Sequence, residues 1–406
     1  MIFRYMTQIT EIDIPINTTI DRILHKIEGD QSGPVIVLFG GIHGNEKAGV
    51  KAIKSVLPQL NSSKIKGTVY GIAGNIAALK ENKRFIIKDL NRQWTREKLK
   101  SLEKQIDYKN EDAEQKALYR LLLEILNNHT GPFYFIDLHT TSSKTIPFIT
   151  INDALINRRF SNLFPVPKVL GIEEYLEGPL LSYINQLGYV SLGFESGQHD
   201  DELAVTNSIA FINLALVHTE ILEAEVAENV SVYKELLSQS AENNTKTYEV
   251  TYRHKIEPNE DFRMCEGYKS FQDVDEGIVI AVSDGVSIAL KETATLFMPL
   301  YQKAGEDGYY LIRPIPKLAL KLSAILRKIK FDNMLVLFPG VSWYDKTKEI
   351  LLVNTRTAKY MAKQLFHLLG YRSYQLDKNN IKFYNRERMS KKAMYKHLNW
   401  YKSSSF

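Results

Sequence analysis

His43 and Glu46 stand three residues apart in GGIHGNEKAG, directly after the apolar run PVIVLF (34–39) and ahead of a helical pattern through Val50, Ile53 and Leu57. Neutral imidazole and carboxylate are both zinc ligands, and a loop can aim them at one point. Gly40, Gly41 and Gly44 allow a sharp turn and leave room for a metal and a substrate. A catalytic zinc site takes three protein ligands and keeps one position open. His139, ending the run FYFIDLH (133–139), is the natural third. Sites in open α/β sheets form beyond the carboxyl ends of strands, where all three residues are expected. A lone HxxE is more often a surface loop with a capping glutamate. The glycine frame and the second strand-end histidine weigh against that.

Glu195, in GFESG, also ends a predicted strand. One carboxylate can take a proton from an attacking water and return it to a departing amine; the bland alternative is a strand-end salt bridge. Asn91 and Arg92, in KDLNRQW, offer a neutral donor and a planar fork that matches a carboxylate. Arg84 could place a cation on a carbonyl oxygen as it becomes an oxyanion. Each arginine read alone is more often a solvated charge. Asp137 alternates onto the same side of its strand as His139 and could accept the free N–H of a ligating imidazole. A buried structural aspartate fits that position nearly as well.

The elements that must position these groups alternate. Strands are read at 34–39, 67–75, 133–139 and 189–197, with helical patterns after residue 46, at 111–128 and across 203–239. That order predicts an α/β domain over residues 1–244 with a largely parallel or mixed sheet. The polar stretch AENNTKTYEV introduces short β-like segments split by glycines, read as a small β-rich domain over 245–315. Residues 316–406 form a basic C-terminal extension with α and β patterns. Its helices are read in PKLALKLSAILRKIK (316–330) and near 350–370, with a strand candidate at MLVLF (334–338). Leu318, Leu322, Ile325, Leu326 and Ile329 share a helical face, expected to pack on the rest of the chain.

The chain has 406 residues, with 44% hydrophobic and 24% charged residues, which is globular composition. No apolar run reaches the roughly 18–20 residues of a membrane span. MIFRYMTQITEIDIP lacks the apolar centre of a signal peptide, so a cytoplasmic location is expected. Cys265 is the single cysteine, which excludes an intramolecular disulfide or a thiolate cluster. The net charge of +5 is uneven: the stretch from Pro316 onward is strongly basic and the remainder is net acidic.

GGIHGNEKAGV (40–50), GN (74–75), RFIIKDLNR (84–92), DLHTTSS (137–143) and FESGQHDD (194–201) together resemble the succinylglutamate desuccinylase/aspartoacylase family, relatives of the zinc carboxypeptidases. Fainter matches are SFQD (270–273), SDG (283–285) and MPLYQ (298–302). The resemblance implies a zinc-carboxypeptidase-like α/β catalytic domain with a smaller β-rich domain and one Zn2+ per chain. It implies His43, Glu46 and His139 as ligands and Glu195 as base and proton shuttle. Arg84 would polarise the carbonyl, and Asn91 and Arg92 would grip a substrate carboxylate. A tyrosine of the β-rich part reaches the site in aspartoacylase-like proteins. Tyr309 or Tyr310 lies near the matching place, with Tyr309 taken as the candidate. One departure stands out. Such proteins carry an arginine about ten residues before the catalytic glutamate, whereas SYINQLGYVSLGFE (182–195) has no Arg or Lys. Lys144 is a candidate substitute, and an acidic N-acyl amino acid is in doubt.

The expected activity is a zinc-dependent deacylase cleaving the linear amide of a small N-acyl amino acid or related carboxylate. A metallocarboxypeptidase of peptides or cell-wall fragments is the first alternative; it would need an open cleft. A basic-tailed, non-catalytic binding protein is the second. No groove-reading motif is visible, so nucleic acid is the disfavoured partner. A homo-oligomer is left open.

Overall fold

The computed structural model describes residues 20–224, 227–358 and 363–403. The N-terminal stretch read against a signal peptide lies outside them. The apolar runs form the core strands of one mixed sheet. Its strands are β1 (Ile23–Glu28), β2 (Gln31–Gly40), β3 (Lys66–Ala73), β4 (Phe133–Thr141), β5 (Phe148–Ile151), β6 (Lys168–Leu170), β7 (Val190–Gln198) and β8 (Thr247–Lys255). Strands β9 (Phe262–Met264), β10 (Gln272–Val274), β11 (Val279–Ser283), β12 (Val286–Ala289), β13 (Ala294–Phe297) and β14 (Asp307–Pro314) follow. The sheet has 11 strands in the order β1-β3-β2-β4-β7-β5-β6-β8-β14-β13-β10. Strands β3, β2, β4 and β7 run parallel at its centre.

Both faces of that centre are covered, which is why its strands read as unbroken apolar runs rather than as alternation. Ile36 and Leu38 of β2 face a cluster with Ile53, Tyr134 and Phe211. Val35, Val37 and Phe39 face the opposite cluster with Leu118, Leu122 and Ile184. The helix Glu111–Asn128 coincides with the expected 111–128, and the pattern over 203–239 resolves into the helices Glu202–His218 and Val230–Ser240.

The sheet does not stop at residue 245. Strand β8 pairs in parallel with β6 and antiparallel with β14, so the β-rich segment continues the catalytic sheet. Strands β12-β11-β9 form a separate three-stranded sheet.

The tail departs from expectation in three places. No strand forms at 334–338: Phe331–Leu337 is a 3₁₀ segment that buries Leu335 and leaves Met334, Leu337 and Phe338 exposed. Lys330, at φ 53°, turns the chain into that segment, and Pro339 follows it. The stretch near 350–370 splits into the strand Ile350–Asn354 and the helix Lys363–Leu368. Finally, the helix Lys317–Lys328 packs mainly by the face opposite to the expected one, although Leu326 of the expected face packs against the apolar cluster of the tail. Ser323, Ala324 and Arg327 are buried, while Leu318 and Ile325 are 77% and 56% exposed. Strands β15 (Val341–Trp343), β16 (Ile350–Asn354), β17 (Tyr371–Gln375) and β18 (Asn380–Asn385) complete the tail as a four-stranded antiparallel sheet.

Candidate active site

Strands β2, β4 and β7 are neighbours, and their carboxyl ends deliver the candidate residues to one place. His43 and Glu46 follow β2, His139 lies near the end of β4, and Glu195 pairs with His139 across to β7. The loop after β2 must pass close to the helix Ile76–Glu81. A Cβ on Gly44 would lie 2.0 Å from the carbonyl carbon of Ala78, so only glycine fits. The Gly44 N–H donates to the Arg84 carbonyl (3.2 Å), tying the two loops together.

His43, Glu46 and His139 are all buried, and one ligand atom from each lies within 4.8 Å of the others. Glu46 is the centre of the group. Its Oε1 is 2.7 Å from His43 Nδ1 and its Oε2 is 2.8 Å from His139 Nδ1. The far nitrogens are also held. His43 Nε2 lies 3.1 Å from Asp89 Oδ1, and His139 Nε2 lies 2.7 Å from Asp137 Oδ2. The second contact is at ion-pair distance, and among the described residues neither Asp137 oxygen has a directed hydrogen bond. With protons on the far nitrogens, both Nδ1 lone pairs face inward. A borderline-soft dication suits this set of two imidazoles and a carboxylate, held by outer carboxylates.

The charges agree. Burial raises the Glu46 carboxyl, but His43 and His139 outweigh it and hold the group well below the usual range. Burial lowers His139, but Asp137 and Glu46 more than offset that and hold it well above an ordinary histidine. The site thus favours positive charge between its carboxylates. Glu195 behaves oppositely. Burial, opposed by His139 and reinforced by Glu46 and Asp137, pushes it up to about 8, and its Oε2 has no partner.

These groups border a cavity of ≈ 140 Å³ that also takes in Arg84, Asn91, Arg92 and Tyr310. Arg84 donates to Asp89 Oδ2 (2.9 Å) and lies 3.7 Å from Glu46. Asn91 accepts from the Leu180 N–H (2.9 Å). Arg92 donates to Asp307 Oδ2 (3.1 Å), and Arg253 donates to the other oxygen of the same carboxylate. The loop carrying Arg84 is pinned by buried Glu111, which accepts from the N–H of Ile86 (2.6 Å) and Ile87 (3.1 Å).

Two sequence candidates fall outside. Lys144 is exposed and away from the cavity; its carbonyl accepts from the Ser270 N–H (3.0 Å). Tyr309 stacks on His254, with ring centroids 5.3 Å apart, on the other side of β14. Successive strand residues face opposite ways, so Tyr310 is the tyrosine that reaches the cavity. Sequence reasoning also missed Asp89, Asp307 and His199. Asp89 sat in plain view inside KDLNR. His199 contacts Thr140 Oγ1 (2.8 Å) and Gln302 Oε1 (3.2 Å), and Asn45 donates to the same Gln302 oxygen (2.9 Å). The segment 298–310 therefore closes over the site.

Residues 32–203 match the succinylglutamate desuccinylase/aspartoacylase catalytic domain. That match spans under half of the chain. A probable aspartoacylase of Acaryochloris marina is 29% identical over 166 residues, covering 38% of this chain and 52% of that protein. The succinylglutamate desuccinylase of Photorhabdus laumondii is 33% identical over 76 residues, covering 18% of this chain and 23% of that protein. The chain thus matches about half the length of the first relative and less of the second. A succinylglutamate desuccinylase/aspartoacylase from Rhodobacter sphaeroides shares the fold, with TM-score 0.52 and 17% identity, covering 72% of this chain and 88% of that structure. Among the described residues, no helix is long and apolar enough to cross a membrane.

Proposed function

We propose that the chain is a zinc-dependent amidohydrolase that removes the acyl group from a small N-acyl amino acid or related carboxylate. The clustering of His43, Glu46 and His139 beside Glu195 in one cavity carries this reading. The similarity of residues 32–203 to the succinylglutamate desuccinylase/aspartoacylase catalytic domain supports the deacylase class. A bound zinc ion supplies Lewis acidity towards water and a carbonyl oxygen.

The chain's own residues do the rest. Glu195 takes the proton from the attacking water and passes it to the departing amine; burial raises its carboxyl above the usual carboxylate range, as suits a group that must also return the proton. Arg84 meets the oxygen on which charge develops. Arg92 and Asn91 hold the substrate carboxylate, with Asp307 fixing the guanidinium fork. The cover from Met298 to Tyr310 favours a compact substrate over a peptide end.

The decisive experiment is a hydrolysis screen of N-acyl amino acids against dipeptides, using zinc-loaded protein. Amine release from N-acyl amino acids, lost in Glu195→Gln with zinc retained, is the expected result. Turnover confined to dipeptides, or turnover unchanged in Glu195→Gln, would sink the proposal.

A further inference from the structure

The cavity has a second end, away from the His43, Glu46 and His139 group. Glu195, Gly193 and Ser191 alternate onto one face of β7. Glu195 and Ser191 both line the cavity. Four residues of strand separate them by about 13 Å. Gly193 lies midway. A Cβ there would sit 2.5 Å from Thr150 Oγ1 and 3.4 Å from Leu181 Cδ1, and both of those residues are cavity walls. Glycine therefore keeps the passage open.

Glu173 borders the far end and is only 2% exposed. Its Oε1 accepts from the Asp153 N–H (3.2 Å) and from Arg386 (2.9 Å). Its Oε2 is buried and, among the described residues, has no donor. A buried carboxylate oxygen without a donor is unfavourable, and native structures rarely leave one. Burial raises the carboxyl's pKa, against the opposing pull of Arg386.

The nearby guanidinium groups are engaged elsewhere. Arg386 also holds Glu174, Arg158 holds Asp153, and Arg327 pairs with Asp153 and Glu387. Arg372, whose charge also acts on Glu173, donates to the Leu176 carbonyl (3.0 Å), so a substrate carboxylate arriving here would meet Glu173 and cations that are already engaged.

We propose that this far end is a substrate subsite for a hydrogen-bond-donating group (a carboxamide, hydroxyl or ammonium), accepted by Glu173 Oε2, and that it turns away a carboxylate. Arg386, reaching in from the C-terminal tail, is the positioning residue that orients Glu173. The proposal rests on the hydrolytic reading of the metal end but names what that reading leaves open, the substrate's distal group.

The test is calorimetric binding to zinc-loaded, full-length Glu195→Gln protein, in which turnover is suppressed. N-acetylglutamine should bind roughly tenfold or more tightly than N-acetylglutamate, because a site with a fixed acceptor rejects the isostere that cannot donate. Adding Glu173→Gln should shrink that ratio to within about threefold, with zinc content and circular dichroism checking the fold. Gly193→Ala, an independent variant, should weaken N-acetylglutamine much more than N-acetylglycine, which is too short to pass the strand midpoint. Equal or tighter binding of N-acetylglutamate, a ratio indifferent to Glu173→Gln, or no binding of either compound overturns the subsite. Selective binding without hydrolysis by the unmutated protein would leave the subsite standing and remove the deacylase instead.

Discussion

Two buried charge clusters sit within the same fold, and they are built on different principles. At the strand ends, Glu46, Asp89, Asp137 and Glu195 have one guanidinium, Arg84, and two imidazoles in direct contact, with the Arg92 charge also acting on Asp89. Where the tail meets the catalytic domain, Asp153, Glu173, Glu174 and Glu387 are matched by Arg158, Arg327 and Arg386 in direct contact, with the Arg372 charge also acting on Glu173 and Glu174. The first cluster is short of positive charge and leaves oxygens of Asp137 and Glu195 without partners. The second is matched in charge and acts as an internal joint, although Glu173 Oε2 at its cavity edge has no donor among the described residues. A deficit marks a place that receives something from outside; a balance marks a place that holds the protein together.

Removing the metal should separate the two clusters most strongly. Chelation, or His139→Ala, should abolish hydrolysis while thermal unfolding still shows a folded α/β core. Full zinc occupancy in His139→Ala would take that residue out of the ligand set. Next in size is Glu195→Gln, expected to lower kcat by about 10²–10⁴ at unchanged zinc content. Activity within threefold of the parent would mean that another group moves the proton. On the other side of the comparison, Arg327→Ala leaves Asp153 buried beside one partner fewer. Breaking such a pair should cost about 3–5 kcal/mol in denaturant unfolding, without loss of zinc. A loss of zinc on that substitution would erase the distinction drawn here.

Smaller still is Asp89→Asn, which weakens the outer support of His43. Zinc affinity should fall by about 10–100-fold, measured by chelator competition. The smallest effect is expected from Leu322→Gln on the exposed stripe of the tail helix, within about 0.5 kcal/mol. A large destabilisation there would show that the stripe is covered in solution.

The same contrast explains what could be read from sequence. The grouping of His43, Glu46 and His139 was legible because these residues sit at the ends of apolar strand runs, where sheet geometry leaves few choices. Asp89 escaped notice although it is two residues from Asn91, because nothing local reveals that its carboxylate spans His43 and Arg84. The choice between Tyr309 and Tyr310 turned on strand phase, which the register with β8 sets and local spacing does not. Lys144 was proposed to supply a missing cation, but it is exposed and does not line the cavity. The tail was least legible. Apolar residues at helical spacing mark a face but do not say whether it is buried. Here the buried face carries Ser323, Ala324 and Arg327, chosen by Asp153 and Glu387 far away in sequence. MLVLF had strand-like composition, yet its immediate neighbours bend the chain into a 3₁₀ segment.

The pairing of β6 with β8 has a mechanical consequence. Lys168, Val169 and Leu170 are laddered to Thr247, Tyr248 and Glu249, and β8 in turn to β14, which carries Asp307 and Tyr310. The roof of the cavity is thus bolted to its floor through continuous backbone hydrogen bonds, with no hinge between them. Under the proposed activity, opening of the cavity is expected at the loop from Met298 to Glu306, which Gln302 ties to Asn45 and His199, rather than by one half of the molecule swinging away. Turnover should then follow the speed of a short loop, and heating should melt roof and floor together in a single transition.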